Sequence, residues 1–309
     1  MWPHLDPGQA LRLAVQLCAL AQLVGLLEVA LVRAEFRSGG FLDWSMTGNL
    51  DPQVRTHLGS LIRRAFRRLS PGVFAWLIVL DAVVACLLLV RPSFVPLIAA
   101  AAALQLMLMK RHHLTIDGSD QMTLVVLVAC LIGRIGADAV ATWAAVSFLA
   151  AEVSLAYLVA GVSKATSAYW RSGQAFAMIA QTRMYGQPAA ARVVNRLPWA
   201  GHAASYAVIC WESLFVLSLT APPAVVAVLF VLGVGFHAGC GLVMGLNRFM
   251  WAFVASYPAV ACVNLAIRGA LGGHAADIVT SGMAAAGLLG LAFALVHRPS
   301  RPAYAPQPS

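Results

Sequence analysis

One lysine lies where a membrane-spanning helix would be expected to carry no charge. Lys164 ends the apolar segment 153–164, VSLAYLVAGVSK, and the aromatic pair Tyr169 and Trp170 follows it at the position of an interface anchor. Two interpretations are open. The side chain can snorkel and place its ammonium at the lipid headgroups. Alternatively, it can lie in a partly dry cavity, where burial favours the neutral amine that acts as a base or a nucleophile.

A histidine surrounded by glycines forms a second candidate. His237 lies in GVGFHAGCGLVMG, where Gly235 and Gly239 are four residues apart, as are Gly241 and Gly245. Small residues at this spacing allow close helix packing, or they leave room for a flat ligand against the backbone. The segment therefore predicts either a hydrogen-bonded histidine in a packed helix or one wall of a binding site.

The third candidate is the polar segment 110–122, KRHHLTIDGSDQM, which carries His112 and His113 together with two acids. It can be a charged loop tip, or a loop that dips into the membrane toward Lys164. Metal binding is not predicted, because adjacent histidines point apart and no second pair follows at ligand spacing.

Further ionisable residues lie inside or at the ends of apolar segments, where an unpaired charge is costly. Each of them therefore needs a partner or a role. Asp81 can simply bind a neighbouring helix, and Arg134 and Asp138, four residues apart at a helix end, are expected to form an ion pair. The remaining members of this set are Glu28, Glu152, His202 and Glu212.

The composition predicts an all-α, polytopic transmembrane helical bundle. Hydrophobic residues make up 61% of the chain and charged residues 11%, whereas a soluble domain carries about 25% charged residues. The apolar runs have about the length that crosses the hydrocarbon core as a helix. Nine spans are predicted, at 10–33, 73–91, 93–109, 121–136, 138–163, 200–220, 223–246, 249–268 and 275–296. Eight spans are the alternative, because the breaks at 91–92 and 134–138 are short.

Residues 1–298 are predicted to form one transmembrane domain, and a Pro-rich disordered tail is predicted at 299–309. The first span lacks the basic flank and the cleavage pattern of a signal peptide, so it is interpreted as a retained helix. Interfacial amphipathic helices are predicted at 55–69 and within 165–198. The side chains expected to bind anionic headgroups are Arg63, Arg64, Arg67 and Arg68.

The net charge of +9 does not indicate a nucleic-acid partner, because the basic residues flank the spans and form no basic stripe on a soluble face. The six cysteines lie singly within apolar runs, so neither a disulfide framework nor a zinc site is predicted. With the amino terminus outside, all but four of the 21 lysines and arginines fall on the cytoplasmic side. This count puts the carboxyl terminus and Lys164 on that side.

Three segments together resemble the transmembrane domain of the vitamin K-dependent γ-glutamyl carboxylases, the HTTM (horizontally transferred transmembrane) family. YLVAGVSK, followed by Trp170 and Gly173, is similar to the family's Tyr-x-x-Ala-Gly-x-x-Lys…Trp-x-x-Gly pattern. In HHLTIDG, His113 and Gly118 fall on a histidine–glycine pair of the family. The segment HAGCGLVMGLNRFMWAFVASYP, which begins at His237, is similar to a third family segment, and the three follow one another in the family's order.

The resemblance implies a membrane site that acts on a quinol. It puts the lysine that deprotonates vitamin K hydroquinone at Lys164 and the assisting histidine at His113. The animal carboxylases continue into a large soluble portion that this sequence lacks, so carboxylation of protein glutamates is not expected. A membrane quinol is the one cofactor or substrate that the resemblance suggests. The residues expected to support the site are Tyr157, Gly161, Trp170, Glu212, His237 and Gly241.

The sequence leads to two hypotheses, an enzyme and a non-catalytic protein. The leading hypothesis is a quinol- or lipid-reactive enzyme of a bacterial inner membrane, with Lys164 as general base and His113 as its hydrogen-bond partner. The alternative is a non-catalytic membrane component that assists maturation or export of a peptide or of a partner protein, as SdpB-like members of the family do. A transporter is disfavoured by the lack of internal repeats.

Overall fold

The structure is a computed structural model that describes residues 5–48, 50, 60, 64, 66, 70–182 and 185–296 of the 309. Short 3-10 helices lie at Arg33–Phe36, His113–Thr115 and Phe215–Leu219. In chain order, the α-helices of the described residues are α1 (Pro7–Leu31), α2 (Trp44–Thr47), α3 (Pro71–Val90), α4 (Val95–Arg111), α5 (Gly118–Ile135), α6 (Ala139–Thr166), α7 (Ala168–Arg171), α8 (Gln174–Gln181), α9 (Pro188–Arg196), α10 (Pro198–Leu214), α11 (Pro223–Met244), α12 (Asn247–Val254), α13 (Tyr257–Leu271) and α14 (Gly273–Val296).

Eight helical segments in this part of the chain are long and apolar enough to cross a membrane, and no strand occurs in it. The predicted all-α polytopic fold is therefore confirmed. The remaining predicted span, 93–109, is helix α4, which has 17 residues and ends in Lys110 and Arg111. The eight segments are Pro7–Leu31, Gly72–Val90, Gly118–Ile135, Ala139–Thr166, Trp199–Leu219, Pro223–Met244, Asn247–Leu271 and Gly273–Ala292.

Capping side chains and prolines determine where several helices begin. Asp6 and Gln9 form a capping box at the start of α1, in which the Gln9 backbone amide donates to Asp6 Oδ1 at 2.8 Å. Ser70 caps α3 by accepting from Val73 N. Proline occupies the first turn of α1, α3, α4, α9, α10 and α11. A missing amide hydrogen is tolerated there, because the first amides of a helix have no partner within it.

The chain divides into two compact units. The amino-terminal unit comprises His4–Leu149 and Asn247–Ala259, and within it α1 packs against α3, α5 and α12. Leu11, Val15 and Val126 are fully buried in its core. These apolar side chains hold the helices together around several buried polar groups.

Arg111, at the end of α4, binds the segment that follows α1. Its guanidinium donates to the carbonyl oxygen of Leu42 at 2.9 Å. It also lies 4.9 Å from the ring centroid of Phe36 and 5.2 Å from that of Phe74, which are cation–π distances. Because the residue is buried, it acts here as a structural anchor within the amino-terminal unit.

The carboxy-terminal unit comprises mainly Ala150–Leu246 and Val260–Ser309. Within it, α10 packs against α7, α8, α11 and α14. The buried amide of Asn264 holds the turn that follows α10, since its Nδ2 donates at 3.0 Å to the carbonyl oxygens of Ser218 and Ala221. This unit contains Lys164.

The predicted ion pair between Arg134 and Asp138 is wrong. Helix α5 ends at Ile135, so the two side chains do not lie one turn apart on a single helix. Arg134 instead donates from Nη2 to the carbonyl oxygen of Gly8 at 2.7 Å. Asp138 accepts from the backbone amide of Ala141 at 2.6 Å, so it serves as the cap of α6.

The polar segment 165–198 contains the short helices α7, α8 and α9, as expected of a sequence too polar to span. The amphipathic helix predicted at 55–69 lies almost wholly outside the described residues. Of its four headgroup-binding arginines only Arg64 is described, and it is exposed. The tail predicted at 299–309 also lies outside the described residues.

Candidate functional site

Lys164 forms an ion pair with Glu212 in the carboxy-terminal unit. Lys164 Nζ lies 2.6 Å from Glu212 Oε2 and 2.8 Å from Oε1. The Glu212 side chain is 4% exposed and that of Lys164 is 20% exposed. The ammonium is therefore held by a buried carboxylate, and the lysine keeps a narrow opening to its surroundings.

A glycine makes this pairing possible. Gly161 precedes Lys164 by one turn of α6, and a Cβ built on it would lie 2.5 Å from Ser213 Oγ and 2.6 Å from Ser213 N. Such distances are shorter than any ordinary contact, so only glycine lets α6 approach α10 this closely. Because Ser213 follows Glu212 in the chain, the close approach also brings the carboxylate to the lysine.

Trp170 covers one side of the pair. Lys164 Nζ lies 5.2 Å from its ring centroid, a cation–π distance. The indole packs against a buried cluster that includes Ile209. Arg171 fixes the chain here, because its guanidinium donates to the carbonyl oxygens of Ala165 and Thr166 at the end of α6.

Tyr157 and His237 form a second polar contact in the same unit. Tyr157 lies four residues before Gly161 on α6, and its Oη is 2.7 Å from His237 Nε2 on α11. Both residues are buried. Trp211 and Phe215 pack edge-on against the tyrosine ring at centroid distances of 4.8 and 4.6 Å. The histidine is thus hydrogen-bonded within an aromatic cluster.

The close packing considered for Gly235 and Gly239 does not occur in the described structure. A Cβ at either position would have no described atom within 4 Å. The second interpretation, room for a flat ligand against α11, stays open for this stretch. Gly241 lies one turn after His237, and its carbonyl oxygen accepts from the Gly245 amide at 3.0 Å, which closes the helix. The left-handed φ of 71° at position 245 suits glycine.

His113 belongs to the amino-terminal unit. Its ring lies edge-on to Trp44 at a centroid distance of 5.9 Å. Both ring nitrogens are buried and have no hydrogen-bond partner among the described residues. The convergence of His113 with Lys164 and His237 stays a prediction.

Sequence reasoning missed the cluster around Arg248. In the amino-terminal unit its Nε lies 3.1 Å from Glu28 Oε2, its Nη2 lies 3.2 Å from Asp117 Oδ2, and its Nη1 contacts Asp120 Oδ1. Asp117 and Asp120 also form the capping box of α5. The acids of the 110–122 segment therefore start a helix and hold an arginine. The Asp-Gly-Ser-Asp sequence could have indicated the cap, but nothing local indicates the arginine.

His112 lies beside this cluster and is buried. Burial lowers the pKa of the imidazole below its usual value, and the nearby carboxylate of Asp120 opposes this shift. Its Nδ1 lies 3.3 Å from Thr115 Oγ1. The neutral imidazole is therefore the favoured form in the folded protein.

The fold and its buried polar groups define the class: this is an integral membrane protein built from α-helices. Comparisons with family models, with curated proteins and with solved structures give no match for the chain. The resemblance to the HTTM family therefore rests on the three segments that contain Lys164, His113 and His237.

Proposed function

We propose that this membrane protein deprotonates the hydroxyl group of a quinol or lipid, with Lys164 as general base. The observation that carries the proposal is the contact of Lys164 with Glu212, an amine and a carboxyl group within hydrogen-bond distance in a mostly dry setting. The motif resemblance supports the same lysine. Its partial exposure supports access for a substrate dissolved in the membrane.

The carboxylate gives the lysine a way to become a base. An ammonium has no lone pair, so it must lose a proton before it can accept one. In a medium of low dielectric, transfer of that proton to Glu212 replaces two buried charges by two neutral groups, which lowers the cost of burial. The neutral amine then takes the proton of the substrate hydroxyl. The substrate keeps the electron pair of the broken O–H bond as an oxyanion, and Glu212 keeps the proton that it received.

The neighbouring groups suit a flat, weakly acidic substrate. The ammonium formed in this step can stabilise the oxyanion electrostatically. Trp170 offers an aromatic face beside it, against which a ring can stack. His113 has the assisting role in this proposal on the ground of the resemblance alone.

A second candidate function is supported by the same contact. A lysine that uses both oxygens of a buried carboxylate, beside a glycine that allows two helices to touch, also suits a purely structural link. The protein would then be a non-catalytic membrane component that assists maturation or export of a peptide or partner protein. An assay with variants at the pair distinguishes the two functions.

The test is turnover of vitamin K hydroquinone by the purified protein in lipid nanodiscs under air, with the epoxide product detected by mass spectrometry. We expect epoxide to form with the wild-type protein. Lys164→Met, which removes the amine, and Glu212→Gln, which cannot take the proton, should reduce it to the level without protein. Lys164→Arg should fail as well, because a guanidinium does not release its proton.

Lys110→Met is the matched control. The chain has two lysines, so this variant makes the same chemical change away from the pair and should keep the wild-type rate. Full activity of Lys164→Arg would rule out the general base. No epoxide with folded wild-type protein would favour the non-catalytic component.

A second measurement needs no substrate. In Lys110→Met protein labelled with 15N-lysine, the one side-chain nitrogen signal belongs to Lys164. A base should convert between ammonium and amine within the pH range in which the protein stays folded, and Glu212→Gln should move that transition. A structural link predicts an ammonium signal throughout.

A further inference from the structure

A small polar cavity lies inside the amino-terminal unit, between α1, α3, α4 and α5. Its volume is about 20 Å³, which suffices for one water molecule. Gln22, Asp81 and Gln105 line it, and all three are almost completely buried. An apolar cavity of this size would stay empty, whereas polar walls favour an occupant.

Two acceptor atoms on this cavity have no partner among the described residues, Asp81 Oδ2 and Gln22 Oε1. The orientation of the Gln22 amide is set by its other end. Its Nε2 donates to the carbonyl oxygen of Ala101 at 3.2 Å and faces Asp81 Oδ1 at 3.5 Å. Two buried acceptors that face one cavity require a donor, because a buried acceptor that makes no hydrogen bond is costly.

The groups around Asp81 do not supply that donor. On α1, Gln22 faces Asp81 with its Nε2, which points to Oδ1 rather than to Oδ2. Glu28, further along α1, is paired with Arg248. From α4 the cavity wall is Gln105, whose Nε2 lies 3.3 Å from Asp120 Oδ1. The titratable and charged side chains that share the cavity with Asp81 are His112, Asp120 and Arg248.

None of these three neighbours stabilises a charge on Asp81. Arg248 is already in contact with three carboxylates, Glu28, Asp117 and Asp120. His112 is favoured in its neutral form by its burial. Asp120 adds a like charge, which disfavours a second carboxylate on the same cavity. An ionised Asp81 would be a buried charge without a described counter-ion, the arrangement that proteins avoid in a membrane.

A larger cavity in the same unit provides a way in. Its volume is about 450 Å³, and it is open to the exterior. Its walls include Gly25, Val29, His112 and Arg248, which also line the small cavity. Thr115, the hydrogen-bond partner of His112, faces this larger cavity. Polar side chains thus continue from the open cavity to the interior of the span.

We infer that Asp81 is a reversible proton-binding site inside the membrane domain, reached from the open cavity past His112 and Arg248 through one bound water. The protonated carboxyl group donates from Oδ2 and the water bridges to Gln22 Oε1. Uptake adds a proton to the carboxylate, and release returns it by the same path. This site is independent of the function proposed for Lys164.

The test is infrared difference spectroscopy of the full chain in nanodiscs of neutral lipid, at a series of pH values in the absence of sodium. A carbonyl stretching band of a protonated carboxyl group is expected at low pH. It should fall as the pH rises, shift in D2O, and be missing in Asp81→Asn. Asp277→Asn is the matched control, since Asp277 lies in the other unit and pairs with Arg268.

Gln22→Leu provides a second variant in case Asp81→Asn does not fold. Removal of the amide that faces Asp81 Oδ1 should move the band to higher frequency and leave its area unchanged. An unmoved band would overturn the assignment. So would the lack of any such band while the protein is folded, or a band that neither titrates nor exchanges in D2O. Loss of the band on addition of sodium at constant pH would identify a cation site instead and overturn the inference.

Discussion

At the scale of single residues, the stability lost on substitution in the Lys164–Glu212 pair depends on whether one partner or both are replaced. Loss of one partner from a buried pair leaves an uncompensated charge and costs about 3–5 kcal/mol, whereas replacement of both by apolar residues is often neutral. Lys164 retains partial exposure, which reduces this cost on the lysine side. A loss of activity in Glu212→Gln therefore has chemical meaning only when the amount of folded protein is equal to that of the wild type.

The buried imidazole of His112 leads to a prediction of how the stability of the protein depends on pH. Burial lowers its pKa below the usual 6.5, so the unfolded chain binds a proton at this residue more readily than the folded protein does. The free energy of unfolding should therefore be fully retained above about pH 6.5 and should decrease as the pH falls below it.

The measurement is chemical unfolding of the detergent-solubilised protein between about pH 5 and 8, above the range in which ordinary carboxylates titrate. His112→Gln should have a smaller slope of unfolding free energy against pH than the wild type. The slope is compared rather than the absolute stability, since the substitution also removes packing. Equal slopes in the two proteins would contradict the lowered pKa.

At the scale of helices, Gly161 determines how closely α6 and α10 approach each other. Gly161→Ala adds a methyl group where Ser213 N and Oγ lie within 2.6 Å. We expect a destabilisation of about 1–3 kcal/mol from overpacking, together with loss of the contact between Lys164 and Glu212. The thermal midpoint and the epoxide assay should fall together.

Gly239→Ala is the control for this prediction. It lies in α11 with no described atom near its Cβ, so the substitution should be neutral or stabilise the helix by up to about 1 kcal/mol through helix propensity. If Gly161→Ala melts at the wild-type temperature, the close approach of the two helices is not what Gly161 provides.

The helices themselves were largely predictable, because apolar length is a property of contiguous sequence. The partners of the buried charges were not. Lys164 was singled out from its setting alone, but its contact with Glu212 depends on how α6 meets α10. Arg248 contacts Asp117, which lies 131 positions earlier, and no short pattern indicates such a pairing. The ion pair predicted between Arg134 and Asp138 was wrong for a local reason, because the helix ends between them.

At the scale of the whole molecule, the number of crossings depends on α4. Its 17 residues extend about 26 Å at a rise of 1.5 Å per residue, slightly less than the hydrocarbon thickness of about 30 Å. Lys110 and Arg111 at its end suit a cytoplasmic boundary. If α4 crosses, the crossings number nine and the two ends of the chain face opposite sides. If it does not, the ends face the same side.

We expect α4 to cross, because nine crossings leave only four basic residues on the outer side. The measurement is labelling of intact cells with a membrane-impermeant thiol reagent, in a protein whose six native cysteines are replaced by alanine. A cysteine at the exposed Ser93, before α4, should be labelled. One at the exposed Leu114, after α4, should react only once the membrane is opened.

Cysteines at Pro222 and Leu246 calibrate the experiment, since they flank α11, whose 22 residues are long enough to cross. Pro222 should be labelled from outside and Leu246 should be protected. Equal labelling at Ser93 and Leu114, together with a reversed α11 pair in which Leu246 reacts and Pro222 is protected, would mean that α4 does not cross. The predicted orientation of every later helix would then be inverted relative to the amino terminus, and Lys164 would lie toward the outer face.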